Sequence, residues 1–167
     1  MTSKDNILKR LRAAQQPFTD VKRPVKRHVM QPMVNMQGED LRTVFIEQAE
    51  LLTANVITPN DSEDAIAQIL GIIGDDRSVM AWDFDHIPVT GLKEALESAN
   101  IATTDPHDGT VRVGITGIDA AFAATGSIVV SAQPGRDRTT SLLPHTHIAI
   151  LREAQILPHF DAWIETV

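Results

Sequence analysis

The chain has 167 residues, a net charge of −7 and no cysteine, and 43% of its residues are hydrophobic. This length and composition are typical of a soluble globular protein with one substantial core. The acidic balance argues against a general nucleic-acid surface, and the lack of cysteine excludes disulfides and cysteine-ligated iron–sulfur clusters within this chain. The sequence has no run of about 18 apolar residues and no signal-peptide pattern, so we expect a cytoplasmic protein without a membrane span.

The first 38 residues predict a helix followed by an extended connector. A stripe of apolar residues among Lys and Arg indicates a helix over residues 3–15, with Ser3 as its N-cap. From Gln16 to Gly38, prolines and basic pairs interrupt any periodicity. The basic cluster at 22–27 could bind nucleic acid, but it better fits a solvated linker that lies on an acidic surface of this protein or of a partner.

Residues 39–167 alternate between helical and strand patterns. Amphipathic segments predict helices that begin at Asp40, at Ser62 and at Thr90, with Thr90 as an N-cap. Short apolar segments predict strands at Asn55–Thr58 and Val79–Trp82. This alternation with short connections predicts a single-domain α/β sandwich with a mainly parallel sheet.

The stretch 110–151 holds the densest apolar runs. β-branched residues predict buried strands at Val111–Ile115, Ile128–Val130 and Ile148–Leu151. The Ala-rich segment between the first two strands, 117–124, predicts a helix of about two turns. The stretch is therefore interpreted as a βαβ unit with one further strand.

Thr116 and Asp119 lie where the first of these strands would turn into the predicted helix. Two interpretations remain open. Thr116 and Gly117 could open a helix N-terminus toward an anionic ligand, or Thr116 and Asp119 could form only a helix cap. Thr125 and Gly126 likewise suit either a ligand-binding turn or the left-handed end of the helix.

The loop 134–147 combines charged and hydroxyl side chains after a predicted buried strand. Arg136, Arg138 and Ser141 could bind a carboxylate or phosphate, because a guanidinium donates in a bidentate fashion and ligands bind outside the carboxyl ends of parallel strands. The alternative is a solvated loop in which the arginines pair with Asp137 or with other acids. We expect Arg138 to supply the charge and to open on the same edge as the Thr116 turn.

Two groups of titratable residues could hold a metal or perform acid–base chemistry. Asp83, Asp85 and His86 follow a predicted strand, while His145 and His147 are two residues apart. This spacing is weak evidence for a metal site. Asp83 and Asp85 also suit turn formation, and we expect His147 to begin a buried strand with its ring satisfied by a backbone group. We predict no metal site.

Two motifs in this region resemble the signature of the LUD-domain family. They are G-I-T-G-I-D-A-A-F-A-A-T-G-S-I-V-V and G-R-D-R-T-T-S-L-L-P-H-T-H-I-A-I, and the opening N-I-L-K-R-L-R-A-A resembles the family's first helix. The family pattern has an acidic residue before Thr125, where this chain has Ala124. The resemblance implies a fold like that of glucosamine-6-phosphate deaminase, ribose-5-phosphate isomerase and the CoA transferases.

The resemblance also implies a role beside iron–sulfur partners in the oxidation of L-lactate to pyruvate. We expect an accessory component that binds a small carboxylate or phosphate-bearing anion, with any iron–sulfur cluster in a partner rather than in this chain. A free-standing enzyme on a phosphorylated or CoA-linked metabolite and a non-catalytic interaction subunit are the alternatives. The candidate ligand-binding residues are Thr116, Gly117, Asp119, Thr125, Gly126, Arg138, Ser141 and His147.

The residues near the carboxyl terminus suggest self-association. Many family members continue with a segment rich in Ser, Gly and Pro that this sequence lacks. Exposed apolar surface is usually covered in native proteins. We therefore expect Trp163 and Ile164 to be covered by a second copy, in a homodimer or larger oligomer.

Overall fold

The computed structural model describes residues 3–15, 36, 38, 40–105 and 107–166. The chain divides into two compact units, residues 1–32 and 33–167. In the first unit, Ser3–Gln15 forms helix α1, as predicted. Most of the predicted connector, 16–38, lies outside the described residues, and the predicted boundary at residue 38 stays a prediction. Within the described ranges, no helix has the length and hydrophobicity needed to cross a membrane.

The second unit contains the remaining helices and all the strands of the described residues. Its helices are α2 (Leu41–Leu51), α3 (Ser62–Ile73), α4 (Leu92–Ser98), α5 (Thr139–Leu142) and α6 (Phe160–Ile164). Its strands are β1 (Ser78–Ala81), β2 (Ala102–Thr103), β3 (Val113–Thr116), β4 (Ala120–Phe122), β5 (Ser127–Val129), β6 (Thr146–Ala149) and β7 (Ile156–Leu157). Two short 3-10 helices, Phe84–His86 and Glu153–Gln155, follow β1 and precede β7.

The strands form two sheets. The larger sheet has the order β2-β1-β3-β6, and all its neighbours run parallel. The smaller sheet has the order β5-β4-β7, in which β4 runs antiparallel to β5 and parallel to β7. The predicted α/β class with a mainly parallel sheet is therefore confirmed.

Helices cover both faces of the larger sheet. Val79, Val113 and Ile115 are fully buried in one cluster with apolar side chains of α3 and α4. Because successive residues of a strand point to opposite faces, Gly114 faces the other side. There α5 packs so closely that a Cβ atom at Gly114 would lie 2.0 Å from the Thr140 carbonyl oxygen. A second core joins α2 to β4 and β7.

The first helices of the second unit begin where the sequence indicates. Asp40 caps α2, since its carboxylate accepts a hydrogen bond from the Arg42 backbone N–H at 3.1 Å. Asp61 caps α3 in the same way, through the Asp64 N–H at 2.8 Å. Helix α4 differs from the prediction. It begins after Gly91, which lies in the left-handed region with φ of +84°, and Thr90 does not cap it.

The prediction of a helix over 117–124 is wrong. Strand β4 occupies this segment and leads through a turn into β5, so the two strands form a hairpin rather than a βαβ unit. Ala120, Ala121 and Phe122 are all buried. The alanines suggested a helix, but burial within a sheet outweighs their helix propensity, which is a weak preference. Thr116 and Asp119 consequently cap no helix.

Two other strand predictions need correction. Asn55–Thr58 forms no strand, and three of its four residues are exposed, so no burial favours pairing. The predicted strand Ile128–Val130 exists as β5, but it runs antiparallel in the smaller sheet. The loop that holds Arg138 therefore does not follow a strand of the parallel sheet, as we had expected.

Candidate functional site

The carboxyl ends of β1, β3 and β6 meet at one edge of the larger sheet. The loops that leave these strands are tied together by backbone hydrogen bonds, from Trp82 N–H to Ile115 at 3.1 Å and from Ile150 N–H to Thr116 at 2.8 Å. Gly117 allows the closest approach, because a Cβ atom there would lie 2.2 Å from the His86 carbonyl oxygen. In open parallel sheets, this edge is the usual place for a ligand.

Thr116 and His147 form a hydrogen-bonded pair just inside this edge. Thr116 is fully buried at the end of β3, and its hydroxyl lies 2.8 Å from Nε2 of His147 on the neighbouring strand β6. Burial lowers the pKa of His147, so its neutral form is favoured near pH 7. The ring partner is a side-chain hydroxyl and not the backbone group that we expected.

Asp119 lies between β3 and β4 and collects several hydrogen-bond donors. Its carboxylate accepts from the Ser131 backbone N–H at 2.7 Å, from the Ser131 hydroxyl and from the Arg136 guanidinium. Burial opposes ionisation, but the hydrogen bonds from Ser131 and Arg136 outweigh it and lower the pKa of Asp119. An ionised Asp119 therefore holds the loop 131–136 against the sheet edge.

Arg136 belongs to the framework of this edge. Its guanidinium carbon lies 4.4 Å from the centre of the Trp82 ring, in addition to the ion pair with Asp119. The Trp82 indole N–H donates to the Asp137 carbonyl oxygen at 3.0 Å. The sequence could not distinguish Arg136 from Arg138. Only the fold shows that Arg136 is buried against a tryptophan 54 positions earlier.

Arg138, the predicted source of positive charge, is exposed and directly precedes α5. Ser141 is partly buried, and its hydroxyl donates to the Arg138 carbonyl oxygen at 3.0 Å. None of the ion pairs among the described residues involves Arg138. Its guanidinium is thus available to a ligand, although no contact here brings it to Thr116.

Thr125 and Gly126 lie at the turn of the β4–β5 hairpin. Gly126 has φ of +62°, and a Cβ atom there would lie 2.5 Å from the Ala49 nitrogen of α2. The close packing against α2 is therefore a structural reason for glycine at position 126, independent of any ligand. Asp119 lies at the other end of the hairpin, about 10 Å away along β4, so the structure does not bring these two parts of the predicted site together.

Two adjoining cavities open along the sheet edge. The larger has a volume of about 280 Å³ and is lined by residues of the segment 84–94, which includes the start of α4, together with Arg152. The smaller, of about 100 Å³, is lined by His86, Ile118 and Gln155 and shares Asp85 and Arg152 with the first. These lining residues come from the segments that follow β1, β3 and β6, including the first turn of α4 and the two 3-10 helices. We call the two cavities together the edge groove.

Arg152 is the cation that both cavities share. It follows β6, is exposed, and takes part in none of the ion pairs of the described residues. Arg152 is not among the residues predicted from the sequence, although a basic residue directly after a predicted parallel strand is a recognisable signal. A guanidinium that lines the same cavities as the Asp85 carboxylate can bind an anionic group while the carboxylate accepts a hydrogen bond from a hydroxyl. The described residues bring no three potential metal ligands together.

Comparison with known proteins gives a consistent family. The sequence-family model of the LUD domain matches residues 42–167 of this chain. Lactate utilization protein C of Macrococcus caseolyticus is 28% identical over 161 residues, which cover 84% of this chain and 68% of that protein. The protein of the same name from Anoxybacillus flavithermus is 26% identical over 153 residues, covering 84% of this chain and 69% of the relative.

A third relative, lactate utilization protein C of Geobacillus sp. strain WCH70, is 44% identical over 94 residues, which cover 48% of this chain and 39% of that protein. No solved structure matches the chain significantly. The likeness to the deaminase, isomerase and CoA-transferase fold therefore stays a prediction. Since the family match extends over most of the sequence and includes the sheet edge described above, the chain belongs to the LUD domain family.

Proposed function

We propose that this protein is an accessory component of L-lactate oxidation to pyruvate, and that it binds a small carboxylate or phosphate-bearing ligand. The similarity to relatives named lactate utilization protein C supports a role in lactate utilization. The main support for ligand binding is the edge groove, where segments that follow three parallel strands converge beside Arg152, which forms no ion pair with any other described residue. This is the position at which parallel sheets bind small molecules.

The residues of the groove favour a ligand that carries both a negative charge and a hydroxyl group. Arg152 can donate two parallel hydrogen bonds to a carboxylate or phosphate. Asp85, which borders both cavities, can accept a hydrogen bond from a neighbouring hydroxyl. L-lactate has this combination of groups, and a phosphorylated metabolite can have it as well. Arg138 and Ser141, at the start of α5, remain a second group of candidate contacts.

We further propose that the protein acts with iron–sulfur partner subunits. Oxidation of lactate to pyruvate removes two electrons and two protons, so it requires an electron acceptor. The chain has no cysteine, the residue that ligates most iron–sulfur clusters, and a partner would have to supply them. The role of this chain would then be to bind the ligand and to contact the subunit that carries the cluster.

The native complex tests this proposal. The tagged full-length chain is purified gently from its source cells, and its partners, iron and acid-labile sulfide are measured together with L-lactate-dependent reduction of a dye. We expect cysteine-rich partners, bound iron and lactate-dependent reduction. A solitary protein that retains a phosphorylated or CoA-linked metabolite would contradict the proposal and favour a free-standing enzyme. Partners without any ligand binding would favour a pure interaction subunit.

A further inference from the structure

Charge is distributed very unevenly along this chain. Residues 1–38 contain eight basic and two acidic side chains, a net charge of +6, whereas residues 39–167 contain seven basic and twenty acidic side chains, a net charge of −13. Two acidic bodies of this kind repel each other. A basic segment from one copy that lies on the acidic body of another would offset this repulsion.

Helix α1 also presents apolar side chains that need a partner. Ile7, Leu8 and Leu11 form one stripe of the helix and are 57%, 39% and 56% exposed. Arg10 and Arg12 flank this stripe on its two sides, and Lys4 precedes it by one turn. A 13-residue helix is marginally stable in water unless its apolar face is packed. The stripe therefore favours a binding surface that is apolar at its centre and acidic at its rim.

Helix α6 offers a surface of this kind. Phe160 and Ile164 lie one turn apart and are 48% and 47% exposed, while Asp161 and Glu165 beside them are acidic and exposed. Phe160 is 5.8 Å from the Trp163 ring and 5.8 Å from the ring of Phe122, which is buried in β4. Rigid aromatic groups anchored in a core are typical of residues that dominate binding energy.

We propose that the α1 stripe of one copy docks on the α6 face of a second copy, so that two such contacts join a homodimer. Ile7, Leu8 and Leu11 would pack on Phe160, Trp163 and Ile164, with the basic residues of α1 near Asp161 and Glu165. Two-fold symmetry repeats the contact, so it contributes twice to the stability of the dimer. The twenty residues 16–35 between α1 and the next described residue can span up to about 70 Å, which is ample for an exchange between copies.

The test measures the dimer dissociation constant of the full-length chain by light scattering and sedimentation at micromolar concentration. Leu11→Glu places a charge in the stripe, and Ala13→Glu adds the same charge on the opposite side of α1 as a matched control. Ile164→Glu alters the receiving face, and Leu51→Glu alters a leucine on α2 that is 75% exposed. We expect Leu11→Glu and Ile164→Glu each to weaken the dimer at least about tenfold and the two controls to change it less than about threefold.

A double-mutant cycle identifies the contact itself. If Leu11 packs on Ile164, the Leu11→Ala, Ile164→Ala pair should weaken the dimer much less than the product of the two single alanine effects, because alanine removes the contact without adding a charge. A monomeric parent protein would overturn the proposal, including the case in which α1 docks on its own chain. A dimer that Leu51→Glu disrupts and Ile164→Glu does not would also overturn it, because the receiving face would then be α2.

Discussion

Asp119 supports the arrangement of the sheet edge through several hydrogen bonds. Its carboxylate connects the loop after β3 with Ser131 and with the buried Arg136. Arg136 stacks on Trp82, so the same charge pair also supports the loop after β1. We interpret this cluster as the support of the edge groove, while the ligand contacts come from side chains without such partners.

Replacing Asp119 by Asn should destabilise the protein strongly. The substitution keeps the size of the side chain but leaves the Arg136 guanidinium without its counter-charge. We expect the free energy of unfolding to fall by about 2–4 kcal/mol, as measured by urea denaturation. Asp137→Asn, which alters an exposed carboxylate nearby, should change it by less than about 0.5 kcal/mol. Equal stability of the two variants would show that the Asp119 cluster contributes little.

His147 should make stability depend on pH below about 6.5. In the unfolded chain a histidine takes up a proton near pH 6.5, whereas burial lowers the pKa of His147 in the folded protein. The unfolded state therefore binds more protons in this window, and the free energy of unfolding falls as the pH drops, by up to about 1.4 kcal/mol per pH unit.

The pH dependence of His147 can be separated from that of other groups by comparison of variants. His147→Gln should flatten the dependence of stability between pH 7 and pH 5. His145→Gln, which replaces an exposed histidine two residues away, should leave it as in the parent. The account of His147 would be contradicted if both variants followed the parent curve in thermal melts across this range.

At the scale of elements, the sequence predicted helices better than the hairpin. The prediction of α3 succeeded because its apolar residues repeat with helical spacing and Asp61 caps it. The alanines of β4 carry no comparable pattern, since a strand buried on both faces and a short buried helix have similar composition. The candidate site was likewise predicted only in part. Strand ends indicated Thr116, but the choice between Arg136 and Arg138 required the position of Trp82, which only tertiary structure gives.

At the scale of elements, the close packing of α5 on β3 requires a glycine at position 114. Gly114→Ala places a Cβ atom 2.0 Å from the Thr140 carbonyl oxygen and 2.9 Å from Cγ of Pro144. We expect it to lower the free energy of unfolding by at least about 1–3 kcal/mol. Gly71→Ala in α3 is the control, because a Cβ atom there has no neighbour within 4 Å and should stabilise the helix by about 0.5–1 kcal/mol. A neutral Gly114→Ala would show that α5 does not pack as described.

For the whole molecule, we expect the purified chain to carry no iron and no tightly bound transition metal. The chain has no cysteine, and Nε2 of His147 lies against the Thr116 hydroxyl. Elemental analysis of the full-length protein checks this expectation. Stoichiometric metal that is lost when both His145 and His147 are changed to Ala would contradict it, and would place a metal site on β6.

The central claim is that a small anion binds in the edge groove, and calorimetric titration tests it most directly. L-lactate, pyruvate, phosphate and CoA are titrated into the parent protein and into Arg152→Ala, Arg138→Ala and the control Arg42→Ala, each with a thermal melt. We predict that at least one of these ligands binds the parent and that Arg152→Ala weakens it about ten- to a hundredfold, because a charge-assisted contact contributes about 1.5–3 kcal/mol. Melting temperatures should barely change, since these arginines are exposed.

A similar loss of affinity with Arg138→Ala would add the 134–147 loop to the site. Absence of binding by the parent, or full affinity in Arg152→Ala, would contradict the account.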